Sequence, residues 1–457
     1  MSIISPKELS VDVVEAGIRG RKGVCQCRLG KNIDFDLEAL ESFSSRKWQA
    51  TVYDALVVAA AVEFCDRSLA RGAMNWGRRF LVDIPVHNPD KWSDRSVVKA
   101  LVEALNLLTG DDWHFNFRAR AVPEEPPKQD RMQFPSGAES VIAYSDGMDS
   151  CAVAGLESKR IGNRLVRIRV GRNQQDISKK ERSRLPFKAL PYSVKLDDGR
   201  NAENSARSRG FKFSIVSAIA AYLIDAPSVI VPESGQGSLA PVLLPVGHGY
   251  EDYRSHPAFT VLMECFFKAL LGYEVKYRFP RIWMTKGETL REFVDVCGTS
   301  GLWAQTRSCW QQSRQVAVLG KRRQCGVCAA CMLRRLSVHA AGLSEPSENY
   351  VWESLMPASW KAGAAKGFSG FTPALREYAI AGVLHFEHLA LLRGTAQFEL
   401  IKRQRVNELA RSLSEPPMGV TMKLGRFLEK HAIEWAAFTN DLGPESFVRQ
   451  WIEMNHE

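Results

Sequence analysis

An α/β architecture is the fold class expected of this chain: a parallel sheet flanked by helices and carrying a cysteine knuckle, preceded by a smaller α+β domain and followed by a helical region. Three patterns lead there. Strands alternate with helices across glycine-bearing turns between residues 140 and 231, a proline-rich break lies ahead of them, and helical spacing of apolar residues runs almost to the C-terminus. Ahead of the break, Lys47 to Leu69 reads as a mostly apolar helix, Arg79 to Pro85 as a strand, Ser93 to Leu108 as an amphipathic helix and Trp113 to Arg120 as an alternating strand, giving an α+β domain over 1–122. The run Ala55 to Cys65 belongs to its core. Ala121 to Phe134, with three prolines and mixed charges, is the break, bounded as a linker at 123–135.

Beyond the linker, Ser140 to Tyr144 reads as a strand that enters the turn Ser145-Asp146-Gly147-Met148-Asp149-Ser150. A helix from about Asp149 to Ser158, strands at Leu165 to Val170 and Tyr192 to Leu196, a helix at Phe211 to Ile224 and a strand at Ser228 to Val231 follow. Such alternation gives a parallel sheet with right-handed crossovers, and ligands bind at the carboxyl ends of its strands, where the serine-rich turn falls. This domain is bounded at 136–341. The region 342–457 is helical at Pro373 to Leu392, Phe398 to Leu413 and Leu424 to Ala437, and it carries no motif to which chemistry attaches.

Composition limits the function classes. With 45% hydrophobic and 25% charged residues the chain is an ordinary folded protein, which excludes collagen-like, mucin-like and wholly disordered readings. The longest apolar stretches are too short to cross a bilayer or are interrupted by Asp225 and Pro227, and the N-terminus lacks the features of a secretory signal, so no membrane association and a cytoplasmic location are expected. The net charge is +10, and Lys159 to Lys212 contains sixteen Lys and Arg against five acids. A segment of that kind suits phosphate-bearing partners, nucleic acid among them, and serves equally as a solvated rim.

Two motifs carry chemistry. A small-residue turn between strand and helix presents backbone N–H groups and a positive helix end to an anion, with Ser145 and Ser150 as hydroxyl donors and Asp149 placed for a magnesium ion. The plainer reading of the same residues is a strand-to-helix turn capped by Asp149 or Ser150. The second motif is Cys309 with Cys325-Gly-Val-Cys328-Ala-Ala-Cys331, four of the ten cysteines within 23 residues. Two overlapping C-x-x-C steps set three thiolates on a knuckle whose turn Gly326 permits, and Cys309 closes a four-thiolate site. Structural zinc is the expected ion, and an iron–sulfur cluster is the alternative.

Taken together and in this order, the motifs resemble those of the PP-loop N-type ATP pyrophosphatases, specifically the 7-cyano-7-deazaguanine synthase (QueC) family. The chain is most similar to the longer QueC-like proteins of bacterial anti-phage operons such as Qat and type IV CBASS. Ser205-Ala-Arg207-Ser-Arg209-Gly-Phe, Tyr250 to Phe259 and Thr285-Lys286-Gly287-Glu288 resemble further family segments, so that the likeness spans roughly Ser140 to Arg335. The resemblance implies a Rossmann-like PP-loop sheet, ATP bound by Ser145, Asp146, Gly147, Met148, Asp149, Ser150 and Val170 with Mg2+, and Zn2+ on the four cysteines. It implies Asp149, Arg207, Arg209 and Lys286 as catalytic groups, and Arg254 and His256 as contacts to a 7-deazaguanine substrate; His248 is a further candidate. The implied reaction is adenylation of the carboxylate of 7-carboxy-7-deazaguanine, followed by transfer to ammonia to give the amide, which a second ATP then dehydrates to the nitrile, or by transfer to an amine of a partner protein from the same operon. Asp146 stands where the family has its first glycine. The alternatives are a PP-loop tRNA-modifying protein and a catalytically dead nucleotide- or deazaguanine-binding subunit of a defence complex.

Overall fold

A computed structural model describes residues 6–35, 49–72, 75–122, 137–145, 147–169, 191–244, 249–298, 301–311 and 315–454. In chain order, and counting helices of seven residues or more, its elements are β1 (Lys7–Val14), β2 (Cys25–Arg28), β3 (Ile33–Phe35), α1 (Ala50–Ser68), β4 (Arg78–Val86), α2 (Arg95–Thr109), β5 (Asp112–Ala119), β6 (Ser140–Tyr144), α3 (Met148–Ile161), β7 (Leu165–Arg169), β8 (Tyr192–Val194) and α4 (Arg209–Leu223). There follow β9 (Ser228–Ile230), α5 (Pro257–Leu271), β10 (Lys276–Arg278), α6 (Lys286–Cys297), β11 (Ala317–Val318), β12 (Lys321–Arg322), α7 (Ala329–Ala340), α8 (Pro373–Leu391), α9 (Phe398–Leu413), α10 (Pro417–Asp441) and α11 (Phe447–Glu453). They form two compact units: 1–145, 160–231 and 247–280 make the first, and 146–159, 232–246 and 281–457 the second.

The first unit holds two four-stranded sheets, in the orders β2-β1-β4-β5 and β10-β9-β6-β7. Every pairing in both is parallel. The N-terminal sheet therefore departs from the expected α+β domain, because α2 acts as a crossover between β4 and β5 and β1 inserts beside β4. α1 is buried at fourteen of its nineteen positions, so its all-round Ala and Val composition makes it a core helix, packed on α4. α2 starts where Asp94 accepts the Ser96 N–H at 2.8 Å and stops at Gly110 (φ +68°), and it packs on α5. The strand expected at Tyr192 to Leu196 is β8, but it lies outside the parallel sheets: it pairs antiparallel with β3, Phe35 opposite Tyr192. Alternation along a chain shows that a strand exists, whereas its partner here comes from more than 150 residues upstream.

In the second unit one core joins Met148, Cys151 and Leu156 of α3 to Leu290 and Phe293 of α6 and Val338 of α7. Another surrounds the cysteine knuckle, where Val327, Cys331 and Trp352 pack with Phe386 of α8, Trp435 of α10 and Trp451 of α11. Among the described residues no helix is long and apolar enough to cross a membrane. The linker expected at 123–135 and most of the basic loop between β7 and β8 lie outside the described residues.

Candidate functional site

The chain leaves β6 at Tyr144 and enters α3 at Met148. At that entry Ser150 Oγ donates to the Gly147 carbonyl at 3.0 Å and the Cys151 N–H to the same carbonyl at 3.2 Å, which tightens the first turn. Met148 is buried in the α3–α6–α7 core, so its backbone, not its side chain, is what a ligand at this turn would meet. Asp146 and Val170 lie outside the described residues, as does His248.

Asp149, in the first turn of α3, accepts a hydrogen bond on Oδ2 from Lys286 Nζ. Both side chains are nearly buried, at 14% and 9% exposure. The other carboxylate oxygen, Oδ1, is buried with no hydrogen-bond partner among the described residues, an acceptor left for a proton donor or a cation. Lys286 is the first residue of α6, and its placement is tightly specified. Thr285 caps the helix, accepting from the Glu288 N–H at 3.0 Å while Glu288 accepts from the Thr285 N–H at 2.9 Å, so the Thr-Lys-Gly-Glu segment is a capping box as well as a lysine motif. The Lys286 N–H donates to Gln236 Oε1 at 2.8 Å.

Behind Lys286 the C-terminal helices contribute polar groups that sequence reasoning passed over. Gln236 lies 3.4 Å from His431 Nδ1, and His431 Nε2 lies 3.0 Å from the Phe386 carbonyl. The carbonyl can only accept, which sets Nε2 as the protonated nitrogen and Nδ1 as the acceptor for the Gln236 amide. Burial pulls the His431 pKa down to about 4, so the ring is neutral. One helical turn on, Glu434 Oε1 accepts from Thr285 Oγ1 at 2.8 Å, while its Oε2 is buried without a partner among the described residues. Burial pushes Glu434 up to about 7 against the opposing Thr285 hydrogen bond. A Cβ at Gly287 would meet Ala340 Cβ at 2.7 Å and both Glu434 oxygens at 3.3 Å, so only glycine lets α7 and Glu434 approach the start of α6 this closely. The signal in the sequence was the i, i+3 pair His431 and Glu434 on one face of α10.

The arginines belong to the first unit. Asp66, held by Arg78 at 2.7 Å, accepts the Ser208 N–H at 2.9 Å and so fixes the segment between Arg207 and Arg209. Arg207 donates to the carbonyls of Tyr250 at 2.7 Å and Glu251 at 3.2 Å, and lies 3.2 Å from Asp252. Arg254 Nε lies 2.9 Å from both oxygens of Asp252. Burial raises the Asp252 carboxyl, but Arg254 and Arg207 outweigh it and hold it below the usual range. A Cβ at Gly210 would sit 2.9 Å from Arg254 Cα, which explains the glycine of the Arg-Ser-Arg-Gly segment. Arg209 begins α4 with its guanidinium 5.0 Å from the Phe213 ring centroid. His256 caps α5: its Nδ1 accepts the Ala258 N–H at 3.2 Å and the ring is 1% exposed. Within the first unit, then, Arg207 and Arg254 meet at Asp252; within the second, Asp149 and Lys286 meet.

The four cysteines converge. Their sulfurs all lie within 4.8 Å of one another, Cys325 and Cys331 at 3.8 Å. The Cys325 N–H points at Cys309 Sγ (3.2 Å) and the Cys328 N–H at Cys325 Sγ (3.2 Å), the backbone donors typical of a thiolate knuckle, and Gly326 takes φ +86° where a Cβ would meet an Arg335 guanidinium nitrogen at 2.9 Å and the Trp352 carbonyl oxygen at 3.1 Å. Burial and three neighbouring thiols push Cys331 well above its ordinary value, so a divalent cation is what would allow four thiolates to coexist. The set is compatible with zinc. Compared with protein-family models, with curated proteins and with solved structures, the chain matches none.

Proposed function

We propose that the protein is an ATP-dependent enzyme of the 7-cyano-7-deazaguanine synthase type, which activates the carboxylate of a 7-deazaguanine base as an acyl-adenylate and passes it to ammonia or to an amine of a partner protein in anti-phage defence. The observation that carries this reading is the Asp149–Lys286 pair at the start of α3, on the serine-rich turn after a strand of a parallel sheet. In the first step a substrate carboxylate oxygen attacks the α-phosphorus of ATP, an O–P bond forms, and the α–β bridging bond breaks with its electron pair leaving on pyrophosphate. In the second the amine nitrogen attacks the acyl carbon, AMP departs with the C–O electrons, and the amine loses a proton to solvent or a base. Each step builds negative charge on phosphate oxygens, and a preorganised cation and N–H groups lower its cost. Lys286 is held for that task by the Gln236 and Thr285 contacts, and Asp149 Oδ1 is the open oxygen for Mg2+, which supplies charge neutralisation when bound.

Zinc is the ion we assign to Cys309, Cys325, Cys328 and Cys331. Zn–S bonds of about 2.3 Å in a tetrahedron place sulfurs about 3.8 Å apart, close to the spacing found, whereas a multi-iron cluster spreads its ligands over separate irons. The test of the reading is a mass-resolved assay with purified protein, ATP, Mg2+ and 7-carboxy-7-deazaguanine, with and without ammonia. AMP with an amide or nitrile product is expected; absence of AMP under every amine condition, co-expressed operon proteins included, would overturn it.

A further inference from the structure

From residue 296 to 344 the chain contains seven Lys and Arg and no Asp or Glu. Part of this charge is paired: Arg323 with Glu353 at 2.6 Å, and Arg334 with Glu345 at 2.6 Å. Lys321 and Arg322 are exposed and paired with no acid among the described residues. They form one strand of the β11–β12 hairpin, which the buried Val316 and Val318 anchor to the knuckle core. At its tip Leu319 and Gly320 take φ 48° and 77°, the left-handed pair that a two-residue hairpin turn requires. Leucine is a poor choice for that backbone, and this one is 84% exposed. Trp310, next to Cys309, is 63% exposed. Two unfavourable features at Leu319, a bared indole next to Cys309 in the chain and two exposed cations on the hairpin describe a surface built for contact.

A cavity of about 220 Å³ opens beside this hairpin. Ala317 of β11 and Gln311, the neighbour of Trp310, line it together with Gln315, Phe368, Ser369 and Thr372. Leu319 lies against Gly367, the residue before Phe368, since a Cβ on Gly367 would lie 3.4 Å from its Cδ2. One aromatic side chain, two carboxamides and two hydroxyls are the groups that stack on and hydrogen-bond to an unpaired base, and the flanking cations suit the phosphates either side of it.

We infer that this face of the cysteine knuckle binds single-stranded nucleic acid, with one unpaired base in the cavity, a neighbouring base stacked on Trp310 and phosphates on Lys321 and Arg322. A strand fits better than a free nucleotide because the indole and the two cations are not among the groups that line the cavity. The inference stands apart from the proposed ATP chemistry, and its test contains no ATP. Fluorescein-labelled 12-mer single-stranded DNA and RNA homopolymers would be titrated with the full-length protein by anisotropy over a range of salt concentrations, against a duplex and AMP as competitors.

Binding to single strands is expected, with the salt slope falling by about 1.4 in Lys321→Glu/Arg322→Glu, as two lost phosphate contacts require. Trp310→Ala should weaken binding about tenfold at an unchanged slope. Gln311→Ala should alter the order of preference among homopolymers. Zinc content and circular dichroism of each variant serve as the folding control. Equal affinity of the variants and the parent overturns the inference. So does complete competition by AMP, which would mark a free-nucleotide pocket, or competition by polyglutamate with no effect of Trp310→Ala, which would mark an acidic protein partner.

Discussion

Lys286 and Asp149 illustrate how a nearly buried ion pair shapes a site without adding much to stability. Taking either charge out of water is costly and their attraction offsets that cost, so the pair sits near balance, whereas one member alone does not. Lys286→Met should destabilise the protein by about 3 kcal/mol in urea unfolding, and adding Asp149→Asn should restore most of the loss. AMP formation should remain absent in the double variant, which separates the chemical role from the structural one. Glu434 makes a different statement. Its folded value of about 7 exceeds the ordinary 4.5, so between these the native state holds a proton that the unfolded chain has released. Stability then falls as pH rises through that window, by on the order of 3 kcal/mol when complete. His431 has the opposite sign: its value of about 4 against an ordinary 6.5 means that stability is lost as pH falls through that interval. Above pH 6.5 only the Glu434 dependence remains of the two. Denaturant titrations of Glu434→Gln and the parent from pH 6.5 to 8.5 should diverge, the variant gaining relative stability as pH rises; parallel curves would mean that Glu434 is already ionised at the lower end.

At the scale of elements, α6 is where three parts of the chain meet: α3 through Asp149, the 234–238 turn through Gln236, and α10 through Glu434. Gly287 makes the meeting possible. Alanine there improves helix propensity in isolation, yet its Cβ would enter the space of Ala340 and Glu434, so Gly287→Ala should cost about 1–3 kcal/mol, read as a lowered melting temperature. Elements of this kind were unevenly legible in the sequence. β6, α9, the body of α1 and the start of α8 could be read from period and composition because each is decided by its own residues, and the four-cysteine cluster could be read from spacing because its two C-x-x-C steps set three of the sulfurs locally. α5, α6 and α7 were hidden: α5 is apolar on nearly every face, α6 lies in a stretch read for its lysine, and α7 begins inside the cysteine motif. The link from His431 and Glu434 to Lys286 was beyond reach, since it joins residues about 150 apart through Thr285 and Gln236. His256 shows the converse, a residue noted for ligand contact whose ring nitrogen serves as a helix cap.

At the scale of the whole chain, the two units are not consecutive segments. Residues 146–159 and 232–246 pack with 281–457, although the strands on either side of them belong to the first unit. The second unit therefore lacks a self-sufficient core when cut from the chain at a single point. Leu290, Phe293, Trp303 and Val338 bury against Met148, Cys151, Ala152 and Leu156, and a fragment of residues 281–457 would leave those faces in water. Exposing several large side chains costs about 1.5–3 kcal/mol each, which is comparable to the net stability of an ordinary domain once four are counted. The knuckle core is different, because Val327, Cys331, Trp352, Phe386, Trp435 and Trp451 all lie within the fragment. The expected result for residues 281–457 is thus a split: about one zinc per chain by atomic absorption, released by chelator, together with dye binding to exposed apolar surface and no cooperative melting of α6. Supplying a peptide of residues 146–159 in trans should suppress the dye signal, and a fragment that melts cooperatively without it would show that α3 is dispensable to this core.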